Sequence, residues 1–95
     1  MILDETQLQQ IEEMSAALLP PLEIAILLGL DAEKRQRFVE ICKNHLNSDV
    51  YMAYQRGRLT TKYELRKTVI KLAKAGSPAA EPLADAYMRE QRINE

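Results

Sequence analysis

The chain has 95 residues, 46% apolar and 28% charged, with no Trp and only seven Gly and Pro residues together, a composition that excludes a disordered chain and points to one small folded domain rich in helix formers. The formal net charge is only -1, yet residues 1–33 carry seven acids and no base, residues 34–74 carry eleven bases against Glu40, Asp49 and Glu64, and residues 75–95 carry four acids with Arg89 and Arg92. A chain polarised in this way has an electrostatic face whatever its total charge.

Five helices are predicted and no strand, because no Val/Ile/Thr run alternates with period two. The first runs from about Asp4 to Leu19, with Leu8, Ile11, Met14 and Leu18 on one apolar face. Thr6 with Gln9 has capping-box spacing, and Asp4 competes as the N-cap. Pro20-Pro21 ends this helix, and Pro21 suits the first position of a second, Pro21 to Leu28. That helix is nearly apolar throughout and is expected to be buried, with Gly29 just past its end. Asp31 can cap a third helix, Ala32 to Asn44, with Phe38, Ile41 and Cys42 inward and Lys34, Arg35, Arg37 and Lys43 outward. Residues 45–49 read as a loop carrying a new cap at Ser48 or Asp49. A long fourth helix follows, Val50 to Ala75, stopped at Gly76. Ser77-Pro78 opens a fifth, about Pro78 to Arg92, whose start Pro82 can delay to Glu81. The division is expected at 47/48: an N-terminal three-helix unit over 1–47, then a helical hairpin over 48–95 packed on it.

Residues 21–31 resemble the first half of a helix-turn-helix DNA-binding motif. Ala25 is small where a second helix must pass close, Gly29 permits the sharp turn, and Ile24, Leu28 and Leu30 set the angle. Phe38 supplies the apolar anchor thirteen residues after Ala25. The second helix then offers Lys34, Arg35, Gln36 and Arg37 near its N-terminus, the region that faces the major groove in such motifs. Arg35 departs from the pattern, standing ten residues after Ala25 where an apolar residue is usual. The alternative is a three-helix bundle with no ligand.

At about 100° per residue, Val50, Tyr54, Gly57, Thr61, Leu65, Thr68, Leu72 and Ala75 share one face of the long helix and make its expected core stripe. Roughly opposite lies a second apolar stripe, Met52, Leu59, Tyr63 and Ile70. Arg58, Lys62 and Arg66 flank it on one side, and Arg56, Lys67, Lys71 and Lys74 on the other. A second apolar stripe implies either an interface with another subunit or cover by the first helix, with Glu5, Glu12 and Glu13 facing the basic columns. The bases of the third and fourth helices together form a plausible phosphate track, and the lack of Trp favours duplex contact over stacking on single strands.

No catalytic constellation is found. His45 has no second His and no Cys/His metal spacing, the three glycines are isolated, and Glu12-Glu13 are neighbours on a helix surface. No enzyme activity, cofactor or metal is therefore expected. Cys42, the only cysteine, cannot form an intramolecular disulfide and reads as core, which fits a reducing cytoplasm. The longest apolar run, Ile24 to Leu28, cannot span a bilayer, and the first base is Lys34, so neither a membrane segment nor a signal peptide is expected.

Over about residues 8–92 the chain resembles the small-terminase type of phage or prophage protein. The likeness rests on residues 22–25 and 28–31, on Phe38, on 50–58 with its Ala-Tyr-x-x-Gly-Arg turn, and on 65–67 and 72–80 with the Lys-Ala-Gly-Ser-Pro hairpin. The resemblance implies N-terminal helices that bind a packaging site on double-stranded DNA. It also implies a hairpin that oligomerises into a ring, and a tail that engages the large subunit carrying ATPase and nuclease. DNA contact would then fall on Lys34, Arg35, Gln36, Arg37 and Lys43, joined by Arg56, Arg58 and Lys62. The oligomer interface would fall on Met52, Leu59, Tyr63 and Ile70. Little follows residue 92, so a minimal tail is expected. Two other readings stay open: a small prophage transcriptional regulator with the same motif, and a helical protein–protein adaptor with no nucleic-acid ligand.

Overall fold

The computed structural model describes all 95 residues, Met1–Glu95. It is all-helical: α1 Glu5–Ala16, α2 Pro21–Leu27, α3 Ala32–Asn44, α4 Asp49–Lys74 and α5 Glu81–Ile93. Its contacts gather into two compact units, Met1–Thr61 and Lys62–Glu95. The sequence places a boundary at 47/48; the contacts place it inside α4, because the first turns of α4 pack with α1.

The first unit is built from well-defined helix ends. Asp4, not Thr6, caps α1: its carboxylate accepts from the Gln7 N–H while the Gln7 side chain accepts from the Asp4 N–H. α1 stops at Ala16, three residues short of the predicted end. Leu18 takes a left-handed φ of 66°, and the N–H groups of Leu18 and Leu19 donate back to the carbonyls of Ser15 and Met14. This closure usually falls on Gly, so nothing in Ala16–Leu19 announces it.

α2 starts at Pro21 behind an extended Pro20. It is not buried all round, contrary to expectation. Only Ile24 and Ala25 are buried, while Leu22, Ile26 and Leu27 are 51%, 54% and 65% exposed. A two-turn helix packed on α1 and α3 leaves one side uncovered. Gly29 then turns the chain at φ 77°, where left-handed backbone is cheap, and the Leu30 N–H donates to the Ala25 carbonyl. Asp31 caps α3 by accepting from the Lys34 N–H. Phe38, Ile41 and Cys42 of α3 join Ile11, Ile24, Ala25 and Val50 in one buried cluster.

The Ser48 hydroxyl caps α4, accepting from the Tyr51 N–H. α4 crosses α1 at Gly57, where a Cβ would collide with the Glu12 carbonyl and lie 2.9 Å from both the Ala16 nitrogen and the Ser15 Cβ. Two hydroxyls bridge the crossing. Ser15 donates to the Tyr54 carbonyl, and Thr61 donates to the Ala16 carbonyl. The predicted stripe Val50, Tyr54, Gly57 and Thr61 is thus packed.

The rest of that stripe is not core. In the second unit Leu65, Thr68, Leu72 and Ala75 are exposed, because α5 meets α4 through Lys62, Arg66, Ile70 and Ala73. Gly76, at φ 91°, ends the α4 segment. A turn over Pro78–Ala80 follows, and α5 begins at Glu81, so Pro82 sits in the first helical turn, where its missing N–H is harmless. Ala80 is the single buried residue of this unit. No helix is long and apolar enough to cross a membrane.

Candidate nucleic-acid interface

α3 is held from beneath and at its start, which fixes what it presents outward. Phe38 and Cys42 are 0% and 1% exposed and anchor one side, while the Asp31 cap and the Gly29 turn set its N-terminus. Lys34, Gln36 and Arg37 in the first two turns are exposed, as is Lys43 near the end. None of the three cations is ion-paired: the three salt bridges of the molecule belong to Arg56, Lys62 and Arg66. Glu33 and Glu40 share the outer surface of α3, so its positive charge is concentrated rather than uniform. Lys34 and Arg37 border an open groove with Met1, Ile2, Leu3 and Gln7, the segment leading into α1.

Arg35 is placed differently from its neighbours. Its guanidinium donates to the Leu30 carbonyl at 3.0 Å. The residue that breaks the apolar pattern therefore ties α3 to the turn before it, using a hydrogen bond where the pattern has an apolar contact. Arg35 holds the turn, and its exposed neighbours face solvent.

The bases of α4 are largely engaged within their own units. Arg56 lies 3.9 Å from Glu12 of α1. Arg58 donates twice to the Gln55 side chain. Lys62 and Arg66 both reach Glu90 of α5, at 3.5 and 2.7 Å, and Arg66 also stacks 4.1 Å above the Tyr87 ring. The Arg66 hydrogen bond and charge, helped by Lys62, hold the Glu90 carboxyl below its ordinary range. Lys67 sits 5.0 Å from the Tyr63 ring and has no acidic partner. Sequence spacing does not announce the Glu90–Tyr87 clasp. Its only trace there is the i, i+4 pair Lys62/Arg66 and an acid on the next helix.

The stripe Met52, Leu59, Tyr63 and Ile70 is 47%, 46%, 64% and 38% exposed. Within the first unit, α1 crosses α4 at Gly57 and leaves Met52 and Leu59 exposed. The Glu12–Arg56 pair anticipated for a covering α1 nonetheless forms. Met52 borders a shallow groove with Glu5, Leu8 and Glu12.

No family model, curated protein or solved structure matches this chain. The chemistry of the surface must therefore be read from its own residues. No group of three or more His, Cys, Asp and Glu is placed to hold a metal, and no buried side-chain polar atom lacks a partner. His45 is exposed at the C-cap of α3. Cys42 is walled in, and burial pushes its thiol up to about 12.

Proposed function

We propose that this chain is a non-enzymatic, self-associating protein that binds double-stranded DNA, as the resemblance to small-terminase proteins implies. The observation that carries this is the exposed, unpaired set Lys34, Arg37 and Lys43 on a helix seated by Phe38 and turned in by Gly29. A seated helix behind a short first helix resembles the form that enters a major groove, and its unpaired cations suit contact with phosphate. Gln36, beside these cations, is an exposed side chain with both donor and acceptor for a base edge. Arg56, Arg58 and Lys62, engaged with Glu12, Gln55 and Glu90, serve the contact less than the bases of α3 do. Self-association is supported by the exposed apolar stripe of α4. Recognition of a packaging site and recruitment of a large subunit belong to this reading only through the resemblance.

The test is duplex-DNA binding by fluorescence anisotropy across a salt series. Wild type is expected to bind at low salt, with affinity falling steeply as salt rises. Lys34→Glu/Arg37→Glu is expected to abolish binding while the helical circular dichroism is kept. The milder Lys34→Gln/Arg37→Gln should flatten the log–log salt slope by about 2. No binding at low salt with micromolar protein would sink the DNA reading. It would leave the adaptor reading, which the fifteen large apolar side chains exposed along the chain favour.

A further inference from the structure

Two acids lie among the free cations of α3. Glu33 and Glu40 are exposed, and neither takes part in a salt bridge, although Arg37 stands four residues after Glu33 and three before Glu40. The ordinary use of an exposed acid on a helix, pairing with a base one turn away, is not made here. At about 100° per residue, Glu33 and Glu40 share one line along α3, on the side away from Phe38 and Cys42, with Gln36 close beside it. Arg37 and Lys43 stand three residues either side of Glu40, about 60° round the helix in opposite senses. The outer surface of α3 is thus ordered across its width, with a cation at each edge and two carboxylates and an amide between them.

A duplex groove has the matching order. Phosphates border the major groove on both sides, and base edges make its floor. With Arg37 and Lys43 at the two phosphate walls, Glu33, Gln36 and Glu40 face the floor. A carboxylate there is repelled by phosphate and by every acceptor on the bases, so it fits the groove only opposite a donor. The major groove offers two, the amino groups of cytosine and adenine. Adenine sets its amino group beside the N7 acceptor, which suits the amide of Gln36 and repels a carboxylate. Cytosine presents its amino group with no acceptor of its own beside it.

We propose that Glu33 and Glu40 are specificity-determining residues that accept hydrogen bonds from cytosine amino groups in the major groove. The inference rests on the DNA binding proposed above and names the base it selects. The cations of α3 supply affinity for any duplex, and the two acids subtract from it wherever no cytosine stands opposite.

Competition with three copolymer duplexes tests this, read by fluorescence anisotropy of a labelled mixed-sequence duplex at low salt. Inosine lacks the 2-amino group of guanine, so poly(dI-dC) presents the major groove of G·C and the minor groove of A·T. Wild type is expected to bind poly(dG-dC) and poly(dI-dC) alike, both about tenfold more tightly than poly(dA-dT). Glu33→Ala/Glu40→Ala, which keeps α3 a good helix, is expected to bind all three more tightly and to lose the preference for cytosine. Acids acting through charge alone would tighten all three equally and leave the wild-type ratio in place, which overturns the assignment. So does a wild type that ranks the three copolymers alike, or one that groups poly(dI-dC) with poly(dA-dT), since that ranking is read from the minor groove. In each of these cases the DNA binding itself stands. Failure to bind any copolymer at low salt overturns the DNA reading and the cytosine preference together.

Discussion

At the scale of single residues, Gly57 carries the sharpest consequence. A Cβ there runs into the main chain of α1 at Glu12 and Ala16, and backbone cannot move aside as a flexible side-chain tip does. Gly57→Ala is therefore expected to cost about 1–3 kcal/mol despite the better helix propensity of Ala, read as a lower midpoint in urea with an unchanged slope. An unchanged or raised midpoint would show that α1 yields at the crossing. The sequence placed Gly57 on the packed stripe but gave no reason for a glycine there, because the atoms it makes room for lie some forty residues earlier. Arg35 was the opposite case. Its break with the apolar pattern was plain in the sequence, but its bond to the Leu30 carbonyl depends on where a long side chain turns, which spacing does not encode. The exposure of Lys34, Gln36 and Arg37 was legible because charged and amide side chains stay at the surface unless they are paired.

At the scale of elements, helix α5 meets α4 through exposed ion pairs and half-buried side chains. It contains no buried residue, and Glu90 joins it to Lys62 and Arg66 of α4. The Glu90 carboxyl, held low chiefly by its bond to Arg66, is ionised at neutral pH. Its contribution is present above the ordinary carboxylate range and is lost as pH falls through its lowered folded value. Backbone amide signals of α5 are expected to shift and broaden through that acid window, and Glu90→Gln should remove the transition while loosening α5 at neutral pH. An identical acid transition in Glu90→Gln would assign it to another group. Element order, the third and fourth helices and the delayed start of α5 were readable from caps, Pro and Gly. The end of α1 was not, because Leu18 takes a backbone conformation that Leu rarely adopts. Nor was the exposure of Leu65 and Leu72: periodicity marks an apolar face but not how far along it a partner helix reaches.

At the scale of the whole molecule, cohesion is uneven. The unit Met1–Thr61 holds the buried cluster around Phe38, whereas Lys62–Glu95 buries Ala80 alone. Amides of α5 are expected to exchange with solvent well before those of residues 38–42, since low burial marks the segments that open first. Cys42, protonated and enclosed, should react with a thiol reagent only as fast as α3 opens. Labelling at the pace of α5 exchange would show that the core is looser than its packing implies. The crossing of α1 and α4 behaves differently from either. Its glycine notch accepts the α1 backbone at one height, and the Ser15 and Thr61 hydroxyls pin it from both ends. Sliding α1 by a single residue would break both bonds and drive a carbonyl against a side chain. This joint therefore works as a key in a slot: it is seated or it is out, with no intermediate settings through which a gradual shift could pass.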